Sequence, residues 1–290
     1  MVILHESSLG FAQGDESISF LAFASRDASS LERIAYGGGS YVAWNSSDQR
    51  SSDRVCITQD GRFWSTVRVG AQSSHKVVAC AYGGDRWISV VRVDSIILHN
   101  STLLIYYSLN GGMSWQQLSG ITMPTLSIDD DYQLIFAEGN WILTGRSLGD
   151  TISVLPNPSR IWISSDGANW IDRSPSGLPS CPVPAYGDGV LVVVGYGDRI
   201  FRSTDFGVNW SSAYIGVTNY LTSVTYGNSS FVAGGTRNVM TSTDGGVNWL
   251  SQSLGNQSIS FIAYGSGTFL RGAGRLQISH DGNLWSAVIS

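Results

Sequence analysis

Short apolar runs, each closed by a glycine cluster, recur along the chain, and each is followed at once by a second apolar run. The first runs are Ile34-Ala35-Tyr36-Gly37-Gly38-Gly39, Ala81-Tyr82-Gly83-Gly84, Phe136-Ala137-Glu138-Gly139, Ala185-Tyr186-Gly187-Asp188-Gly189, Val224-Thr225-Tyr226-Gly227-Asn228 and Ile262-Ala263-Tyr264-Gly265-Ser266-Gly267. The second runs are Tyr41-Val42-Ala43, Trp87-Ile88-Ser89-Val90, Trp141-Ile142-Leu143, Leu191-Val192-Val193-Val194, Phe231-Val232-Ala233 and Phe269-Leu270. Runs of this length, rich in β-branched and aromatic residues and punctuated by Gly, Asn and Asp, predict strands joined by tight turns. A third run leads into the phrase Ser/Thr-x-Asp-(x)-Gly-x-x-Trp, and a fourth leaves it. The pattern is therefore four antiparallel strands per repeat.

That phrase occurs six times, ending at Trp64, Trp115, Trp170, Trp210, Trp249 and Trp285. Its acidic position is held by Asp60, Asn110, Asp166, Asp205, Asp244 and Asp281. The Trp-to-Trp steps are 51, 55, 40, 39 and 36 residues. A repeat of roughly 40–45 residues made of short strands predicts an all-β β-propeller. The motif explains its own turn. The Asp carboxylate accepts backbone N–H bonds, Gly supplies the positive-φ position, and Trp buries a large ring against the neighbouring sheet. Six four-stranded blades are expected at about 31–70, 76–120, 130–175, 181–215, 220–254 and 258–290. Residues 1–30 are expected to form accessory strands or a degenerate seventh blade, because Ser17-Ile18-Ser19-Phe20-Leu21-Ala22-Phe23 echoes Ser258-Ile259-Ser260-Phe261-Ile262-Ala263-Tyr264.

Charge changes the picture of the surface. Charged residues make up only 13% of the 290, so Ser, Thr, Asn and Gly must cover much of the exterior. The formal net charge of −5 gives no sign of a nucleic-acid binder. No segment reaches the length of a membrane span, and His5-Glu6 interrupts the apolar start, so neither membrane insertion nor a signal peptide is expected. A virion or cytoplasmic location follows. Cys56, Cys80 and Cys181 have no metal spacing and suit buried free thiols. His5, His75, His99 and His280 form no metal or catalytic signature. Neither metal nor cofactor is expected.

The phrase and its spacing resemble the Asp box, or BNR repeat, of sialidases and many other propellers. The Ala-Tyr-Gly-x-Gly lead-in is similar to uncharacterised Asp-box proteins of bacteria and phages. The resemblance implies the propeller fold and leaves function open, since its members include hydrolases, receptors, photosystem assembly factors and lectins. A sialidase-like site would need three arginines on a substrate carboxylate, a Tyr–Glu pair and an Asp acid. The family's Arg-Ile-Pro signature is absent: Arg160-Ile161-Trp162 and Arg199-Ile200-Phe201 both lack the Pro. The four Glu are Glu6, Glu16, Glu32 and Glu138. Glu138 falls in a turn on the wrong face, and Glu32 is the one survivor. A pair drawn from Asp94, Asp129, Asp130, Asp131 and Asp150 could serve a two-carboxylate hydrolase, with no spacing to single one out.

Recognition has a better-defined candidate. Loops between second and third strands are expected to be long in the first three repeats (45–53, 92–102 and 146–159), as are the segments 117–131 and 173–184, all on one face. Recognition concentrates in such loops. Arg54, Arg160, Arg199 and Arg275 each stand four residues before the motif Ser/Thr. They predict either a partial arginine crown for an anionic ligand or simple pairing with nearby Asp. Trp44 and Trp162 are either sugar-stacking platforms or core. The chain is expected to be a non-catalytic recognition propeller, a phage virion or tail component that binds a host-surface glycan or protein alongside other virion proteins. The alternatives are an intracellular assembly scaffold resembling photosystem assembly factors, and a diverged sialidase-like hydrolase.

Overall fold

A computed structural model describes residues 33–45, 53–70, 75–95, 100–119, 132–145 and 159–288, without the side chains of 94–95, 100–101 and 217–219. These residues are all-β and fall into two compact units, the first ending at Asp172 and the second beginning at Arg173. The N-terminal residues expected to form accessory strands or a seventh blade lie outside the described residues.

The first unit holds three four-stranded antiparallel sheets. One is β1 (Arg33–Gly37), β2 (Ser40–Trp44), β3 (Arg54–Thr58) and β4 (Ser65–Arg68). The next is β5 (His75–Gly83), β6 (Arg86–Ser95), β7 (Asn100–Ser108) and β8 (Gln116–Gln117). The third is β9 (Gln133–Ala137), β10 (Asn140–Gly145), β11 (Arg160–Ser164) and β12 (Ile171–Asp172). The second unit holds a five-stranded sheet of β13 (Ser180–Gly187), β14 (Val190–Ser203), β15 (Ser211–Gly227), β16 (Ser230–Ser242) and β17 (Leu250–Ser258). It also holds a four-stranded sheet of β18 (Phe261–Gly265), β19 (Thr268–Gly272), β20 (Leu276–Ser279) and β21 (Ser286–Ala287).

Among the described residues five sheets therefore stand where the repeats predict six blades or seven. The physical reason is continuity. The expected boundary near residues 215–220 lies inside β15, which pairs with β14 through Ser211–Tyr214 and again at Asn219 and Tyr220, and with β16 through Leu221–Gly227. The strands β14 and β16 each carry two pairing zones, with register shifts at Gly197/Arg199 and Thr236/Asn238. A second correction concerns 92–102, expected as a long loop. Strands β6 and β7 pair there as far as Ser95↔Asn100, and Arg92 is fully buried.

Within each unit, successive repeats lock together twice. At the first contact an aromatic of one repeat covers a glycine of the one before. A β-carbon on Gly37 would fall inside the Tyr82 side chain, and one on Gly83 inside Phe136. In the second unit Gly187 meets Tyr226 and Gly227 meets Tyr264 in the same way. Each covering ring then leans on its own second-strand aromatic: Tyr82 on Trp87 at 5.6 Å, Phe136 on Trp141 at 4.7 Å, Tyr226 on Phe231 at 4.7 Å and Tyr264 on Phe269 at 4.8 Å between centroids. The third repeat carries Ala137 where these four carry Gly. At the second contact the motif turn of one repeat presses on strands of its predecessor. Gly112 meets Ile57 and Val42, Gly167 meets Ile88, Gly246 meets Val192 and Gly282 meets Val232. Trp115, Trp170, Trp249 and Trp285 pack against the cores that these contacts close.

Candidate functional site

The motif turns are built as their residues predict. In the third repeat Ser164 Oγ donates to Asp166 Oδ1 at 2.9 Å, and the N–H groups of Ala168 and Asn169 donate to the same oxygen at 2.8 and 2.7 Å. The Gly167 N–H donates to Ser164 Oγ at 2.9 Å, and Trp170 Nε1 donates to Gly167 O at 3.0 Å. Trp64, Trp249 and Trp285 close their turns on Gly61, Gly246 and Gly282 likewise. In the second repeat Asn110 Oδ1 accepts from Ser108 Oγ and the Ser114 N–H at 2.9 and 3.0 Å, so the amide keeps the geometry without the charge. Trp210 departs from the pattern, donating to Arg173 O at 2.7 Å.

These bonds set the chemistry of the acids. Backbone N–H donors from Phe63, Asn169, Asn209 and Leu284 lead in holding Asp60, Asp166, Asp205 and Asp281 below the ordinary carboxylate range. The Asn248 N–H leads in holding Asp244 down to about 2. A carboxylate locked in its ionised form by the backbone is unsuited to general-acid work, and the motif Asp residues are structural. Glu138 sits in the β9–β10 turn at φ 43. Glu6, Glu16, Glu32, Asp129, Asp130, Asp131 and Asp150 lie outside the described residues, as does the Asp94 side chain. Among the described residues no group of three or more His, Cys, Asp or Glu could hold a metal ion, and no helix is long and apolar enough to cross a membrane.

The candidate arginines divide between the units. In the first, Arg54 and Arg160 open β3 and β11 as expected. In the second, Arg199 lies inside β14, and Arg275 stands exposed one residue before β20, its carbonyl accepting from the Ala273 N–H at 3.1 Å. Three of them have an aspartate close by: Arg54 Nε is 3.8 Å from Asp53, Arg160 Nε 3.6 Å from Asp172 and Arg199 Nε 3.9 Å from Asp198. Those separations are loose, and the three side chains keep 55%, 37% and 51% of their surface. Asp53 makes its close pair elsewhere, with Arg68 Nε at 2.7 Å. Exposed pairs of this kind are worth about 0–1 kcal/mol, little enough for an anionic ligand to replace the aspartate.

The two candidate tryptophans do not survive. Trp44 and Trp162 are 4% and 1% exposed, and Trp44 Nε1 donates to Val78 O at 3.4 Å. A ring with no free face cannot stack on a sugar, so both belong to the core.

Sequence reasoning missed other residues. Arg33, Arg92 and Arg271 are buried. Arg271 donates from Nε to Gln277 Oε1 at 2.8 Å and lies 4.2 Å over the Trp285 ring, and burial pulls its guanidinium down to about 10. Arg86 and Arg202 fasten the neighbouring turns, donating to Asp166 O at 2.6 Å and Gly245 O at 2.8 Å. The exposed aromatics also went unread: Tyr196, Tyr214 and Tyr220 stand out from β14 and β15. The signal was present in Gly195-Tyr196-Gly197-Asp198, where a bulky ring stands among small and polar residues inside β14.

No family model matches the chain, and no curated protein matches it. Solved structures do. YCF48 bound to D1 peptide aligns at TM-score 0.58 and 14% identity over 86% of this chain and 77% of that one. The protein YjhT aligns at TM-score 0.59 and 8% identity over 88% of this chain and 96% of that one. A mutant α-L-arabinofuranosidase from Fusarium graminearum, in complex with an iminosugar inhibitor, aligns at TM-score 0.53 and 12% identity over 81% and 84%. At these identities the likeness concerns the fold alone: an all-β β-propeller.

Proposed function

We propose that this chain is a non-catalytic recognition propeller, a component of a phage virion or tail that binds a host-surface glycan or protein. The observation that carries the reading is the set of corner arginines. Arg54 and Arg199 are exposed and Arg160 half-buried, all three loosely paired and mounted on hydrogen-bonded strands, and Arg275 is exposed at the matching place in its repeat. Guanidinium groups on rigid mounts recognise carboxylate and phosphate at little ordering cost. The low charge, abundant Ser and Gly, and single lysine, Lys76, suit an exterior that meets other surfaces without general ionic adhesion. The motif turns are the repeat signature of Asp-box propellers in this reading.

The likeness to a propeller solved with a bound peptide favours a second reading, an assembly scaffold for a protein client. Both are tested by probing arrays of bacterial surface polysaccharides and of peptides with the purified chain. Specific capture by polysaccharides supports host recognition, capture by peptides alone supports the scaffold, and capture by neither contradicts both.

A further inference from the structure

We propose that Asn110 is a self-modifying residue: the backbone nitrogen of Gly111 attacks its side-chain amide, ammonia leaves, and hydrolysis yields the aspartate that the other five motif turns already carry.

Asn110-Gly111 is the single Asn-Gly step in the 290 residues, and it falls at the one motif acid position that lacks a carboxylate. Glycine leaves its nitrogen unshielded by a side chain and its backbone free to turn toward the preceding residue. Here Gly111 has φ 69, and a β-carbon on it would lie 2.6 Å from Ser40 Oγ, so the turn itself selects glycine. Asn110 is exposed, and water reaches it.

The turn also holds the amide for reaction. Ser108 Oγ and the Ser114 N–H both donate to Asn110 Oδ1, at 2.9 and 3.0 Å. When the Gly111 nitrogen adds to Cγ, Oδ1 becomes an oxyanion, and donors already aimed at developing charge lower the barrier. Ser108 Oγ is fixed in that role, because it accepts from the Gly112 and Asn110 N–H groups at 3.0 and 3.4 Å while its own proton points to Oδ1. The leaving nitrogen, Nδ2, donates to Ser114 Oγ at 2.9 Å, a hydroxyl able to relay a proton back to it.

The chemistry balances with water alone. The Gly111 nitrogen loses its proton and bonds to Cγ; the Cγ–Nδ2 bond breaks, and Nδ2 departs as ammonia with that proton. Water then opens the cyclic imide at Cγ, breaking the new C–N bond and restoring the peptide. One water is consumed and one ammonia released.

The fifth repeat already shows the product. Asp244 Oδ1 accepts from Ser242 Oγ and the Asn248 N–H at 2.8 and 2.9 Å, and the Gly246 N–H donates to Ser242 Oγ at 2.9 Å. These match the second repeat bond for bond. Asp244 Oδ2 accepts from Asn248 Nδ2 at 2.7 Å, and Ser114 holds the place of Asn248. A hydroxyl both accepts and donates, so Ser114 reverses its bond when amide becomes carboxylate. Water entering at the main-chain carbonyl would instead give an isoaspartyl link, whose extra backbone methylene does not fit this spacing.

The test is peptide mass spectrometry on the freshly purified full chain, incubated in mildly alkaline buffer either folded or unfolded in urea, with Asn110→Asp as the authentic product. The folded chain should convert at Asn110 to the α-aspartyl form, about threefold or more faster than the unfolded chain, because only the fold aligns the donors on Oδ1. Ser108→Ala should slow conversion about two- to tenfold, the rate equivalent of one hydrogen bond. Ser114→Ala, at an exposed position, should do the same and keeps the test valid if Ser108→Ala misfolds. An amide that stays intact in the folded chain, faster conversion in urea, an isoaspartyl main product, or an unchanged rate in folded Ser114→Ala each overturns the proposal.

Discussion

The hydroxyl of Tyr264 donates to Asn228 Oδ1 at 2.6 Å while the ring of the same tyrosine lies over Gly227. One side chain thus joins two successive repeats by packing and by a hydrogen bond. Asn228 completes the joint by donating from Nδ2 to His280 O at 2.7 Å and Gly267 O at 3.2 Å. The repeated Tyr-Gly is therefore an interlock between neighbours as well as a turn within one repeat.

Gly227→Ala should test the interlock. The new methyl would occupy the space of the Tyr264 ring, and overpacking of this kind costs about 1–3 kcal/mol. Tyr264→Phe keeps the ring and loses the bond, for about 0.5–1.5 kcal/mol. Urea unfolding should rank the wild type above Tyr264→Phe and Tyr264→Phe above Gly227→Ala. A neutral Gly227→Ala would contradict the packing.

The motif acids predict acid sensitivity with a definite sign. Their folded-state pKa values lie below the ordinary aspartate value, with Asp244 at about 2. A depressed carboxylate stabilises the fold above the unfolded value, and that contribution is lost as pH falls through the folded one. The denaturation midpoint should therefore fall between about pH 4 and pH 2. Replacing Asp60, Asp166, Asp205, Asp244 and Asp281 by Asn, as nature has at Asn110, should flatten that dependence. A wild-type midpoint that stays level across this range would count against the turn geometry.

The thiols should differ in reactivity. Cys80 is buried, and burial pushes its thiol up to about 12, whereas Cys56 is partly exposed. Thiolate is the reactive form, so iodoacetamide under native conditions should label Cys56 well before Cys80. Peptide mass spectrometry over a labelling time course would show the order.

Trp162 separates core from ligand contact. Its ring is buried, so Trp162→Ala should cost about 3–5 kcal/mol. Trp162→Phe should fold with smaller loss and bind any ligand as the wild type does. Titration of Trp162→Phe checks this, and a large affinity loss in a folded variant would restore the tryptophan as a platform.

These residues also show what a sequence reveals. Turns were legible because Ser164, Asp166, Gly167 and Trp170 satisfy one another locally, within seven residues. Blade contacts such as Gly187 under Tyr226 span repeats, and only the recurrence of Tyr-Gly hinted at them. The sheet count failed at β15, where no Pro or turn cluster separates the two pairing zones, and Gly216 alone does not break the strand. The aromatic candidates failed because residue type does not report exposure. Trp44 and Tyr196 each follow an apolar run, yet the first is buried and the second exposed. The arginine corners were half legible. Their spacing from the motif fixed their place in the repeat, while their distances to Asp53, Asp172 and Asp198 depended on neighbouring strands.

The central claim, recognition through corner arginines, is tested most directly by replacing Arg54, Arg160, Arg199 and Arg275 together by Ala. Affinity for the polysaccharide that the wild-type chain captures is then measured with circular dichroism unchanged. The account predicts at least a hundredfold loss, with weaker salt dependence in what remains. Wild-type affinity in that folded variant would contradict it.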